Sequence, residues 1–230
     1  MTPPDAPAID LFAQEPFRGE RRRLPLDPGA VLLGGFAADI ASDLIAHIHA
    51  IAAAAPFRHL EVPGGGRMSV AMTNCGPLGW VSDRRGYRYA ATDPLSGAPW
   101  PAMPPALLAL AQRAAAEAGF EGFVPDACLI NRYAPGARLS LHQDRDEAGM
   151  DAPIVSVSLG ASAVFLWGGQ RRGDRAGRYP VHHGDVIVWG GPARMTFHGV
   201  APLPAAASHP LTGACRFNLT FRRAGPARST

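Results

Sequence analysis

The chain contains no lysine, so every one of its 22 cationic residues is an arginine. Together with 26 glycines, 23 prolines and abundant alanine, that bias is most plainly the mark of a GC-rich genome. A net charge of +3 and a pI near 9.1 therefore point only weakly to a nucleic-acid partner. Cysteine is scarce. Cys75, Cys128 and Cys215 are odd in number, far apart and without a CxxC pair, which argues against both a disulfide framework and a structural zinc site. Such usage fits a reducing cytoplasm. Long apolar runs are missing as well; "IAAAAP" at 51–56 is far too short to cross a bilayer. The opening "MTPPDAPAIDLFAQ" has neither a basic nor an apolar signal region, so no signal peptide is expected.

What is present is material for a core. The apolar fraction is 47% of 230 residues, most simply one domain with extensions. Residues 1–30, rich in proline and charge and including the basic run Arg21–Arg23, read as a flexible lead-in. Over about 37–55, Ile40, Leu44, Ile48 and Ile51 fall at helical spacing and Pro56 closes the helix. A second helix fits 104–118, with prolines at its start and Gly119 at its end. After Gly119 come seven short runs bounded by Gly, Pro or Asp: "DACLINRY", "RLSLHQD", "PIVSVSLG", "SAVFLW", "DVIVWGG", "RMTFHGV" and "CRFNLTFR". With no helix between them, these predict an antiparallel sandwich or barrel. Residues 57–100, rich in glycine, proline and aromatics, read as strands and long loops of the kind that cover a binding site.

The arginine clusters are local. "DRRGYRY" (83–89) interleaves arginine with tyrosine, and "RRGDRAGR" (171–178) carries four arginines against one aspartate. Solvated loops account for both, although the tyrosines of the first also suit base stacking beside phosphate contacts.

The chemistry centres on "NRYAPGARLSLHQDRDE", residues 131–147. In a strand, His142 and Asp144 would point the same way, with Asp146 continuing that face if the strand persists. One imidazole and one carboxylate so placed can share a metal ion, though a lone H-x-D arises often by chance. Among candidate third ligands, His182 and His183 lead into a "GD" turn, His209 precedes a proline and His59 lies ahead of the sheet. His47 and His49 belong to the first helix. His198, late in "RMTFHGV", could face back into a barrel mouth. Two histidines and a carboxylate with open positions form the facial triad of non-haem Fe(II) oxygenases. In "CRFNLTFR", Cys215, Phe217, Leu219 and Phe221 share one face, while Arg216, Asn218, Thr220 and Arg222 share the other. The polar face could simply meet solvent. If it lines a barrel, two arginines suit a dicarboxylate such as 2-oxoglutarate, one for each acid end. Asn131 and Tyr133, also co-facial, could add hydrogen bonds.

Taken with "MSVAMTNCGPLGW", "PWPAMP", "HGDVIVWGG" and "FHGV", these blocks closely resemble the bacterial AlkB family of Fe(II)/2-oxoglutarate dioxygenases over about residues 31–224. The resemblance implies a mainly β (α+β) fold: a double-stranded β-helix, or jelly roll, with N-terminal helices and a nucleotide-recognition lid. The jelly-roll core would span about 126–222, the lid about 57–100, and residues 225–230 would be a tail. His142, Asp144 and His198 would hold Fe(II). Arg216 would pair with the distal carboxylate of 2-oxoglutarate, and Asn131, Tyr133, Asn218 and Arg222 would complete that pocket. The family's reaction spends O2 and 2-oxoglutarate, giving succinate and CO2, and hydroxylates an N-methyl group that then leaves as formaldehyde. Its substrates imply alkylated single- or double-stranded DNA here, with RNA as the alternative, and bases such as 1-methyladenine and 3-methylcytosine. Such bases are cationic and cannot pair, so they flip cheaply. Trp80 would be the stacking platform, Asp146 the acceptor for the exocyclic amine, Tyr87 and Arg172 further substrate contacts, and Met72 part of the base pocket. Ordinary alternatives stand beside these: Trp80 or Met72 as plain packing, and Asp146 paired with Arg145.

Three other functions use the same residues differently. A hydroxylase of proteins or small molecules would turn over a peptide but not a methylated oligonucleotide. A non-catalytic nucleic-acid-binding module would survive His142→Ala. A cupin-like metalloenzyme without cosubstrate would not need Arg216 and Arg222. No membrane and no obligate protein partner are expected, and a monomer is.

Overall fold

The computed structural model describes residues 21–226. Its strands are β1 (Arg22–Asp27), β2 (Ala30–Gly34), β3 (Arg58–Glu61), β4 (Arg67–Cys75), β5 (Gly79–Asp83), β6 (Gly86–Ala90) and β7 (Ala127–Tyr133). There follow β8 (Leu139–His142), β9 (Ile154–Gly160), β10 (Ala163–Trp167), β11 (Gly177–Val181), β12 (Val186–Trp189), β13 (His198–Val200) and β14 (Arg216–Arg222). Helix α1 (Ala41–Ala54) lies between β2 and β3, and α2 (Pro105–Glu117) between β6 and β7.

The strands make a major sheet of eight in the order β1-β2-β12-β9-β14-β7-β4-β3 and a minor sheet of four in the order β11-β10-β13-β8. Every paired neighbour is antiparallel. This is the jelly roll. One apolar layer sits between the major sheet and the helices, where Leu44, Ile48, Leu107 and Leu110 meet Val155, Val157, Leu219 and Phe221. The helical residues of that layer are fully buried, each contributing about 1.5–3 kcal/mol by leaving water. A second layer fills the space between the sheets, with Leu32, Ile154, Phe165, Trp167, Val181 and Trp189. Helix α2 matches its expected span, whereas α1 begins at Ala41, after a 3-10 turn at Ala38–Ile40, and so later than expected; Gly119 takes the left-handed conformation (φ +90°) that ends α2.

Four further expectations change. The lead-in is shorter than 1–30, because β1 pairs with β2 from Arg22 onward; residues 1–20 lie outside the described residues, as do residues 227–230 of the tail. Strand β1 carries Pro25 and three exposed-face charges, a composition that reads as loop yet suits a sheet edge. The span 57–100 is not all cover: β3 and β4 complete the major sheet, and only the β5–β6 hairpin stands apart as its own two-stranded sheet. The arginine-rich loop at 171–178 ends in a strand, β11, at the other sheet's edge. Finally, β8 stops at His142, so Asp144 and Asp146 are not carried on a strand at all.

Candidate active site

The open face of the major sheet carries a polar row. Cross-strand pairing sets Met72 beside Asn131, Asn131 beside Asn218, and Asn218 beside Ser158. One step along, Tyr133 lies beside Arg216. The alternation expected in β14 holds, since Phe217, Leu219 and Phe221 enter the layer under the helices. The opposite face does not meet solvent: all seven residues of β14 are buried.

Arg216 is 2% exposed. Its Nη2 donates to Ser158 Oγ at 2.7 Å, and its guanidinium lies 4.8 Å from the Tyr133 ring centroid. Its Nε and Nη1, the Tyr133 hydroxyl and Asn131 Oδ1 have no partner within the described protein. A buried guanidinium with two unanswered nitrogen donors is costly unless an anion meets it. Asn131 donates to Asn218 Oδ1 (3.1 Å), and Asn218 donates to Ser156 Oγ (2.8 Å), so the amides are locked in one orientation.

The ligand atoms of His142, Asp144 and His198 all lie within 4.8 Å of one another. His142 and His198 face each other directly in the β8–β13 register. His198 opens β13 instead of lying late in it. That pairing demands Gly199: a Cβ there would sit 2.6 Å from the Leu139 carbonyl oxygen. Each imidazole is turned by its own backbone, with His142 Nδ1 2.8 Å from Ser140 O and His198 Nδ1 3.0 Å from Thr196 O. A carbonyl can only accept, so Nδ1 carries the proton and Nε2 is left with its lone pair for a metal. The two Nε2 atoms stand 3.6 and 3.7 Å from the Asp144 oxygens. Burial, reinforced by neighbouring His142, brings the His198 pKa down to about 4, keeping it neutral as ligation requires.

Asp144 reaches this position from irregular chain because two arginines hold it. Arg222 Nε and Nη2 donate to its Oδ2 at 3.0 and 2.6 Å, and Arg194 Nη1 donates to its backbone carbonyl at 2.6 Å. Burial pushes the carboxyl upward, but Arg222 and the two histidines outweigh it and hold Asp144 well below the usual carboxylate range. Arg222 is thus committed largely to Asp144 and Glu147, which alters the expectation of one arginine for each acid end.

A cavity of about 410 Å³ joins these parts. It is lined by the triad, the Arg216 row and every residue expected to touch substrate: Met72, Trp80, Tyr87, Asp146 and Arg172. Met72 is buried in β4. Trp80 and Tyr87, on the two strands of the hairpin, stack at 5.4 Å and 15°. Trp80 Nε1 donates to Asp146 Oδ2 at 2.9 Å, which fixes indole and carboxylate together. Arg172 lies over Phe197 at the rim. His182 and His183 take the loop role expected of them, as partners of Ser162 and the Gly160 N–H. Sequence reasoning missed Glu147, Arg194 and Tyr89, which brace Asp144. It also missed Phe165 and Trp189, which wall the metal side of the cavity; Trp189 lies 4.8 Å from the His198 ring.

Fold and site together define an iron-dependent oxygenase of the jelly-roll kind. Residues 29–222 match the family described as the 2OG-Fe(II) oxygenase superfamily. The alpha-ketoglutarate-dependent dioxygenase AlkB of Escherichia coli (strain K12) is 56% identical over 94% of this chain and 98% of its own length. A shorter match, 44% identical over 43% of this chain and 24% of the relative, is the DNA N(6)-methyladenine demethylase ALKBH1D of Arabidopsis thaliana. Among solved structures, OsALKBH1 superposes with a TM-score of 0.77 at 31% identity, covering 88% of this chain and all of that one. The chain belongs to the AlkB dioxygenases within the 2OG-Fe(II) oxygenase superfamily. It is accordingly an enzyme that uses Fe(II), 2-oxoglutarate and O2.

Proposed function

We propose that the enzyme oxidatively demethylates alkylated bases, 1-methyladenine and 3-methylcytosine, in DNA, and so repairs alkylation damage. The observation that carries this reading is one continuous cavity holding both the triad and the Trp80–Tyr87 stack. The demethylase name of the Arabidopsis relative supports the substrate class.

The donor set suits its ligands. His142, Asp144 and His198 offer two imidazoles and one carboxylate, the set that leaves positions open on Fe(II). The two unanswered nitrogens of Arg216, Nε and Nη1, suit the distal carboxylate of 2-oxoglutarate, beside the Tyr133 hydroxyl. Asn131, Asn218 and Arg222 line the rest of that pocket. Bound there, iron with its cosubstrate and oxygen would supply the oxidation of the N-methyl group, which would leave as formaldehyde.

The protein's own work is to select and hold the base. A base methylated on its pairing edge has lost its partner and enters the cavity at low unstacking cost. It is also cationic, so the indole of Trp80, backed by Tyr87, attracts it as well as stacking on it. Asp146 Oδ2 is occupied by the indole N–H, which leaves Oδ1 to accept from the exocyclic amine. Met72 limits the depth of the base pocket, and Arg172 at the rim meets the flanking phosphate.

The test is turnover of a single-stranded oligonucleotide carrying one 3-methylcytosine, read by mass spectrometry with Fe(II), 2-oxoglutarate and ascorbate. The expected result is loss of one methylene mass, abolished by omitting 2-oxoglutarate and by His198→Ala. Succinate formed without change in the oligonucleotide would sink the substrate class and leave the cosubstrate chemistry standing. A matched RNA oligonucleotide turned over faster than DNA would move the target to RNA.

A further inference from the structure

Two directly opposed residues of the hairpin, Trp80 and Tyr89, reach two consecutive acidic residues of the irregular segment. Trp80 Nε1 donates to Asp146, and the Tyr89 hydroxyl donates to Glu147 Oε1 at 2.7 Å. Glu147 is 7% exposed and fully engaged. Its Oε2 accepts from Arg194 Nη2 at 3.0 Å, and its Oε1 lies 3.2 Å from Arg222 Nε. Those are the two arginines that hold the side chain and the backbone of Asp144. The four charged groups, two carboxylates and two guanidiniums, balance. None is easily removed alone, because a buried charge stripped of its partner is strongly unfavourable. Burial raises the Tyr89 pKa well above its ordinary value, so the phenol keeps the proton it donates.

We propose that Tyr89 and Glu147 are positioning residues that couple the β5–β6 hairpin to the metal-binding carboxylate Asp144. The chain of contacts runs from hydroxyl to carboxylate to guanidinium to ligand, every link buried but the half-buried Tyr89 at its hairpin end. Seating a metal on Asp144 fixes Arg222 and Arg194, these fix Glu147, and Glu147 fixes the strand that carries Tyr89 and Tyr87. By reciprocity, a base that closes the hairpin steadies Asp144. The enzyme would then bring its cover to order only when its metal site is loaded. The coupling itself follows from the contacts; its use in catalysis rests on the reading that the hairpin covers the substrate.

The test uses the full chain with Co(II) and 2-oxoglutarate, a loading that reports ligand geometry through its visible absorption. Amide hydrogen exchange over residues 79–90 is followed with and without that loading, in the parent and in Tyr89→Phe. In the parent, loading slows hairpin exchange. In Tyr89→Phe the Co(II) spectrum persists but the slowing is lost, and KM for the methylated oligonucleotide rises by at least roughly tenfold, with a smaller fall in kcat, as expected for one hydrogen bond to a charged group. Glu147→Gln keeps an acceptor for Tyr89 yet removes the charge between the arginines; it weakens Co(II) binding roughly tenfold and shifts the band. The proposal is overturned if loading leaves parent hairpin exchange unchanged, or slows it equally in Tyr89→Phe. Should Glu147→Gln fail to fold, the Tyr89→Phe exchange comparison decides alone. If the parent shows the exchange response but does not turn over methylated oligonucleotide, the coupling stands and the substrate reading falls.

Discussion

The two halves of the cavity are built on different principles. The half proposed to hold the cosubstrate is regular sheet: β4, β7, β14 and β9 lie side by side, and their register alone sets Asn131, Tyr133, Arg216, Asn218 and Ser158 in neighbouring positions. The half proposed to take the substrate is a hairpin and an irregular segment: Trp80 and Tyr89 bond Asp146 and Glu147, while the Asn74 side chain and the Glu61 carbonyl tie β5 to the strands beside it. A sheet can hold a fixed small molecule in one pose, since its geometry is shared across many ladder bonds. A base attached to a polymer must enter and leave, and a cover held at a few points can open without unfolding the sheet.

Removing Arg216 should break that comparison most severely. Arg216→Met takes the charge from a fully buried position, so the requirement for 2-oxoglutarate should rise at least ~100-fold, the scale of losing a buried charge-assisted pair. The same change removes a guanidinium whose Nε and Nη1 have no protein partner. The protein without ligands should therefore melt no lower than the parent, and a few degrees higher is expected. Titration of 2-oxoglutarate alongside thermal melting checks both signs. A large fall in melting temperature with an unaltered 2-oxoglutarate requirement would make Arg216 a structural residue and remove the cosubstrate assignment.

Trp80→Ala attacks the other half. The indole restrains Asp146 and, on the proposed function, supplies the stacking face, so KM for the methylated oligonucleotide should rise by about 10- to 100-fold, the worth of one base–aromatic stack. The 2-oxoglutarate requirement should not rise with it, because the hairpin takes no part in the sheet row. Steady-state kinetics with each substrate varied in turn would show this; parallel loss in both would mean that the halves are not separable.

The same contrast governs what is legible in the sequence alone. The β14 face was legible because a strand has period two and its seven residues alternate without interruption. The triad was legible as a set of residues, but for a reason that fails in part. His142 ends its strand, and Asp144 is brought into place by Arg222, 78 positions away. Glu147, Arg194 and Tyr89 left no local signal, since their partnerships span 47 and 58 positions and no periodicity marks them. Strands β1 and β11 escaped notice for another cause. Each is a sheet edge carrying proline and arginine, which protects an exposed ladder but reads as loop. Strand β2 is a continuous apolar run, "AVLLG", whose five residues are too few to separate strand from helix by pattern.

The smallest expected effect probes the boundary of the regular half, where β9 turns after Gly160. The His183 and His209 rings stack at 4.1 Å and 17°, and the Gly160 N–H donates to His183 Nδ1 at 2.9 Å. Gly160 lies opposite Arg216 in the sheet. Burial, and then the neighbouring His209, lower the His183 pKa from 6.5 to about 4. An unfolded chain would bind this proton near pH 6.5, whereas the folded protein resists until about pH 4. In that window the unfolded state holds more protons, so stability must fall as pH falls, and it is fully recovered above about pH 6.5. His183 is only half-buried, so the effect is modest. Because protonation would take Nδ1 from the Gly160 N–H, the loss should begin at the end of β9 that faces Arg216. His183→Gln, which can still accept that N–H but has no charge to gain, should flatten the acid side of the melting-temperature profile in metal-free protein. An identical pH profile in parent and variant would show that this turn is held by its backbone alone, and that the regular half needs no side-chain clasp at its edge.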